Sequence, residues 1–85
     1  MLVTLATPEK LIFSSEAESV VLNAERGQLK ILPRHANLIS LVHPGSVIVE
    51  QTDKGVSEGR FNVGRGVLKV QNDEIAILCD EVKTT

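Results

Sequence analysis

Tryptophan and tyrosine are missing from this chain of 85 residues, and Phe13 and Phe61 are its only aromatic side chains. Without aromatic platforms the chain does not suit single-stranded nucleic acid, which is held by stacking bases on such rings. Positive charge is not in excess either. The formal net charge is -2, so the basic footprint of a nucleic-acid or anionic-lipid binder is missing. A single cysteine, Cys79, rules out a disulfide framework. Set against the apolar run Ile75-Ala76-Ile77-Leu78, it reads as a reduced, buried thiol in a cytosolic protein. No apolar run approaches the ~20 residues of a membrane span, and no basic segment leads into an apolar one at the N-terminus. The chain therefore reads as soluble and unprocessed, and is expected beside a membrane only through another protein.

Reactive constellations are equally sparse. His35 and His43 are the only histidines, and no cysteine or carboxylate lies at the spacing of a zinc site. Ser14-Ser15 lacks the glycines of a nucleophile elbow, and Cys79 has no basic neighbour in sequence. The carboxylate pairs Glu16 with Glu18, Asp73 with Glu74 and Asp80 with Glu81 read as solvated turn and edge residues. Gly64-Arg65-Gly66 opens a strand rather than a helix, which favours a β-bulge or tight hairpin over a phosphate loop. No catalytic residue, metal or cofactor is expected. Binding is left, through polar groups on loops of a rigid body.

What the chain does have is short, β-branched or alternating apolar segments. Eighty-five residues make one domain, residues 1–85, able to bury about 60% of its unfolded surface. Strands are predicted over Met1–Leu5, Leu11–Phe13, Val20–Leu22, Gly27–Leu32, Val47–Val49, Val56–Val63, Val67–Gln71 and Glu74–Cys79. Turns are predicted at Pro8-Glu9-Lys10, His43-Pro44-Gly45, Asp53-Lys54-Gly55 and Asn72-Asp73, and Asn23 to Gly27 reads as a charged loop. The second arm of the Asp53-Lys54-Gly55 hairpin is polar and belongs near an edge. No window carries helical spacing over three turns. The fold class is all-β: a flattened antiparallel sandwich or barrel of about eight to ten short strands.

One stretch departs from this scaffold pattern. From Gly27 to Leu32 a strand alternates, with Leu29 and Ile31 on one side and Gln28, Lys30 and Leu32 on the other. Pro33 cannot donate to a central ladder and should stop it. Arg34, His35 and Asn37 then stand beside apolar Leu38 and Ile39, a mixture suited to a contact surface.

Several segments together resemble a known family. They are Thr7-Pro8-Glu9 with Phe13-Ser14, then Gly27 to Leu38 with Ile31-Leu32-Pro33 and His35-Ala36, then Pro44-Gly45, Gly64 to Val70 and Ile77-Leu78-Cys79-Asp80-Glu81. In that order and spacing they resemble the N-terminal β-sandwich domain of the epsilon subunit of F-type ATP synthases, over essentially the whole chain. There are departures. Gln28 stands where the family usually has a carboxylate, Lys30 and Arg34 where it has glycine, and Asn37 where it has proline. Arg65 splits a glycine pair. The chain stops at Thr85, where most members continue into a pair of helices that inhibits ATP hydrolysis and in some bacteria binds ATP. A single sandwich domain without the helical domain is the expectation, and neither helical role is carried over.

The resemblance implies a non-catalytic rotor subunit of the central stalk, linking the gamma subunit to the polar loops of the membrane c-ring. It would couple ion translocation to ATP synthesis or hydrolysis, as one copy per complex and a monomer when free. Its place would be peripheral, on the cytoplasmic face of the energy-transducing membrane. Glu25, Arg26, Gln28, Lys30 and Arg34 are the ring-facing residues so implied, with Glu25 replacing the negative partner that Gln28 cannot supply. His35, Ala36, Asn37, Leu38 and Ser40 are the gamma-facing ones, with Leu38→Asp as their harshest test: a variant that folds normally and binds gamma as tightly as the parent refutes the assignment. The alternative is a free-standing β-sandwich binding module, a monomer with one small-ligand groove. A small enzyme is disfavoured by the missing constellations.

Overall fold

The computed structural model describes residues 1–50 and 58–84. Ten strands account for most of them: β1 (Leu2–Ala6), β2 (Leu11–Glu16), β3 (Ser19–Ala24), β4 (Gly27–Ile31) and β5 (Leu38–Val42), then β6 (Gly45–Glu50), β7 (Glu58–Val63), β8 (Gly66–Gln71), β9 (Glu74–Cys79) and β10 (Val82–Thr84). The order is β10-β7-β6-β3-β5-β8-β9-β1-β2, with β4 also on β3. Only one residue pair, Ala24 with Val42, joins β3 to β5. The sheet is thus two five-stranded layers, β10-β7-β6-β3-β4 and β5-β8-β9-β1-β2, hinged at that pair. All pairings are antiparallel except β1 with β9, which is parallel, so the sandwich is mixed where a purely antiparallel one is expected.

Alternation decides which side chains fill the space between the layers. Val20, Leu22, Ile31, Val47, Val49, Phe61 and Val63 come from the first layer, and Val3, Leu5, Leu68, Val70, Ile75, Ile77 and Cys79 from the second, all buried. Phe13 and Phe61 face each other across the gap, ring centres 5.1 Å apart and tilted by 58°, the arrangement aromatic pairs prefer.

The turns follow the predicted chemistry in part. Asn72 and Asp73 have φ of 53° and 61°, the left-handed pair required by a two-residue turn matching strand twist. Pro33 lies beyond β4, as expected. Asn23–Gly27 is not a loop: β3 runs to Ala24 and β4 begins at Gly27 (φ 113°), leaving Glu25-Arg26 as a tight hairpin turn. Gly64-Arg65-Gly66 is neither bulge nor hairpin. β7 and β8 belong to opposite layers, and this corner carries the chain across, tied by Gly64 N–H to Glu81 O and Asp80 N–H to Arg65 O, both 2.9 Å. β10 covers β7, so the polar arm lies one strand in from the edge. The Asp53-Lys54-Gly55 turn lies outside the described residues.

Cys79 is buried in the second layer, and burial, with the neighbouring Asp80 charge, pushes its thiol from 9.0 up to about 11. A raised value favours the neutral thiol in the folded state. The stability this contributes is complete below pH 9.0 and is lost as pH rises toward 11, amounting to about 3 kcal/mol. Urea midpoints measured from pH 8 upward should fall through that window, and Cys79→Ala should remove this part of the fall. Below pH 9 a thiol reagent should label Cys79 only in denaturant.

Candidate functional site: two unlike outer faces

The two layers differ on their outer sides. On the first, β4, β3, β6 and β7 place Lys30, Val21, Ile48 and Arg60 in one row, and Ser46, Asn62 and Lys83 follow on β6, β7 and β10. Val21 and Ile48 are half-buried, so polar and charged groups dominate. On the second, Leu41, Val67, Leu78, Ala6 and Leu11 stand in register across all five strands. Leu41 is 53%, Val67 44%, Leu78 51% and Leu11 60% exposed, and Ile39, one row along on β5, is 72% exposed. Contiguous apolar exposure of this kind marks a surface that another molecule covers.

Sequence reading treated β8 and β9 as scaffold and missed this row. The signal was present in Ile75-Ala76-Ile77-Leu78-Cys79, which is apolar at every position instead of every second one. Such a run belongs to a strand covered on both faces.

The polar residues singled out from the sequence divide into groups. Glu25 and Arg26 form the exposed β3–β4 turn, and Gln28 and Lys30 project outward from β4 opposite Asn23 and Val21. Glu25, Arg26 and Gln28 share a groove of 410 Å³ with Leu38, Ile39 and Ser40, whereas Lys30 and Arg34 do not line it. Three of the five residues expected to face the ring and two of the five expected to face gamma, Leu38 and Ser40, therefore line one groove. Ala36 and Asn37 are exposed, and His35 is half-buried, its N–H bonded to Leu32 O at 3.2 Å and its Nδ1 2.7 Å from Ala36 O. Ser40 donates to Leu41 O at 3.1 Å.

Leu38 is half-buried and packs against the core. Leu38→Asp would put a carboxylate there and destabilise the fold, so it does not test a contact cleanly. Ile39, its outward neighbour, is the position that does.

Arg34 has φ 66°, a conformation that costs a side-chain-bearing residue roughly 1–2 kcal/mol and glycine nothing. Arg34→Gly should accordingly raise stability by about 1 kcal/mol, readable as a higher urea midpoint at unchanged slope.

Among the described residues, no group of three or more histidine, cysteine or acidic side chains could hold a metal ion. The model described as "ATP synthase, Delta/Epsilon chain, beta-sandwich domain" matches residues 1–85. The chain belongs to this family. Among its curated relatives is the ATP synthase epsilon chain of Bordetella avium, 42% identical over 78 residues, which are 92% of this chain and 54% of that one. The epsilon chain of Clostridium novyi is 40% identical over 77 residues, 89% of this chain and 56% of that one. This chain thus spans about half the length of those epsilon chains. The fold matches a chain of the Tetrahymena thermophila mitochondrial ATP synthase central stalk and c-ring at a TM-score of 0.82, with 21% identity, covering 99% of this chain and 66% of that one. It also matches a chain of the Euglena gracilis mitochondrial ATP synthase at 0.88, with 19% identity, covering 99% and 52%. A Delta/Epsilon sandwich explains why the resemblance of the ordered motifs extended from Thr7 to Glu81.

Proposed function

We propose that this domain is a non-catalytic rotor part of an F-type ATP synthase, seated by its apolar outer face on the gamma subunit. The β3–β4 turn faces the polar loops of the c-ring, so that stalk and ring turn together while ion flow is coupled to ATP synthesis or hydrolysis. The single observation that carries this is the row of Leu41, Val67, Leu78, Ala6 and Leu11 on one layer of a Delta/Epsilon sandwich.

Magnitudes assign the two surfaces their parts. Burying each half-exposed leucine or valine of the row, or the neighbouring Ile39, contributes about 1 kcal/mol, so together they dominate adhesion. Exposed charges such as Glu25 and Arg26 contribute roughly 0–1 kcal/mol each, screened by salt, and serve register and orientation instead. The segment His35 to Ser40 forms the margin of the gamma contact, with Ile39 as its outward-facing large apolar member. Glu25, Arg26 and Gln28, with Lys30 and Arg34 beside them, face the ring. The chain's similarity to ATP synthase epsilon chains supports association with a membrane-bound complex.

The test is binding of the chain to purified gamma and to an assembled synthase lacking its own epsilon, followed by ion pumping. Binding with restored pumping is the expected result. A folded chain that binds neither at micromolar concentration overturns the reading. Replacing Glu25, Arg26 and Arg34 together by alanine should weaken ring attachment at physiological salt, and unchanged attachment would remove the β3–β4 turn from the ring contact.

A further inference from the structure

The loop between β4 and β5 is fastened to the β8–β9 turn by two reciprocal hydrogen bonds. The Arg34 N–H donates to Asp73 Oδ1 at 2.9 Å. The Asn72 N–H donates to Asn37 Oδ1 at 3.4 Å. Each partner thus offers one backbone amide and one side-chain acceptor. The turn is itself held to β1, since Leu2 N–H donates to Asp73 O at 3.2 Å, and the Met1 ammonium lies 3.9 Å from Asp73 Oδ2.

Arg34, Asn72 and Asp73 are also the only non-glycine residues with positive φ among those described, at 66°, 53° and 61°. Left-handed backbone is unfavourable for residues with a Cβ, and it persists where surrounding contacts over-determine it. For Asn72 and Asp73 the two-residue turn is sufficient reason. For Arg34 the local reason is the turn Leu32-Pro33-Arg34-His35, closed by the His35 N–H to Leu32 O bond at 3.2 Å, with proline at its second position and positive φ at its third; glycine would sit there without strain. What the turn does not supply is a fixed position against the body of the domain, and the Asp73 carboxylate on the Arg34 amide ties the tip of the loop, which carries an exposed cation, to the β8–β9 turn.

We propose that Asp73 is a positioning residue: through the Arg34 amide it locks the β4–β5 loop so that the Arg34 guanidinium and the His35 ring are presented to a neighbouring rotor subunit. The presentation role rests on the rotor reading above. The lock itself is a property of the chain alone. An amide bonded to a carboxylate is about twice as strong as a neutral pair, so the side chain of Asp73 controls whether Arg34 keeps its geometry.

Four variants test this: Asp73→Ala, Asp73→Asn, Arg34→Gly, and Asp73→Ala combined with Arg34→Gly. The readouts are hydrogen exchange at the Arg34 amide and dissociation from an assembled synthase lacking its own epsilon. Asp73→Ala should speed Arg34 exchange about fivefold and dissociation by a similar factor, since a hydrogen bond to a charged group is lost. Asp73→Asn keeps an Oδ1 acceptor and should stay within about twofold of the parent. Arg34→Gly should dissociate faster because the cation is gone, and adding Asp73→Ala to it should change little, the non-additivity expected of two residues acting through one contact. Unchanged Arg34 exchange in Asp73→Ala overturns the lock. Additive effects on dissociation, or parent-like dissociation of Asp73→Ala, overturn the presentation role while leaving the rotor reading standing. A parent chain that does not bind overturns the rotor reading and the presentation role together, and the exchange arm still decides the lock.

Discussion

Gly66→Ala should cost about 3 kcal/mol of stability, at the upper end of what overpacking does, and a large share of what so small a domain has. Gly66 opens β8 opposite Cys79 of β9. A methyl group there would fall on the Leu78 carbonyl oxygen, with Cys79 Cα and Sγ each 2.8 Å away. Two of these are backbone atoms of a strand flanked on both sides, by β8 and β1, so relief requires the β8–β9 ladder to part. Gly64 is the control. A methyl group there meets the side chains of Asp80 and Glu81, which are exposed and can rotate away, so Gly64→Ala should cost under about 1 kcal/mol. Urea midpoints at equal slope measure both. A Gly66→Ala midpoint no lower than that of Gly64→Ala would mean that the ladder yields where it should resist.

The same corner indicates what sequence can and cannot carry. Strand identity was legible in β1, β3, β6, β8 and β9, because alternation or β-branching repeats along each. The Asn72-Asp73 turn was legible because few residues tolerate positive φ twice in succession. β10 was not, since Val82-Lys83-Thr84 offers one apolar residue and owes its strand state to pairing with β7. Nor was β5. Leu38, Ile39 and Ser40 were read as part of a contact segment because their polar prelude masked the alternation of inward Leu38 and Val42 with outward Ile39 and Leu41. Which strands cross between layers depends on long-range pairing, so Gly64-Arg65-Gly66 was open to a local reading that pairing overrules. The polar stretch Glu25 to Ser40 stood out in the sequence as a candidate contact surface. The apolar outer face did not, because outward Val67 and Leu78 become a surface only when β8 and β9 lie side by side.

Leu78→Asp should fold like the parent and lose at least ~100-fold in affinity for gamma. Leu78 and its cross-strand partner Val67 point away from the core and are 51% and 44% exposed, so a carboxylate at either place keeps its water in the free domain. Stability should change by no more than about 0.5 kcal/mol. In the complex the same carboxylate would have to enter an apolar contact, at a cost of about 2 kcal/mol or more, and about 1 kcal/mol of leucine burial would be forfeited as well. Together these reach ~100-fold, each tenfold being about 1.4 kcal/mol. Val67→Asp should behave alike, and the double variant should lose little more than either, since the first charge already keeps the partner off. Charge removal at Glu25 or Arg26 should instead change affinity only a few-fold, mainly through association rate, and less at high salt. The contrast separates adhesion from register. If Leu78→Asp keeps the parent's urea midpoint and binds gamma as tightly as the parent, the apolar row does not seat the domain, and the adhesion must come from the His35 to Ser40 margin.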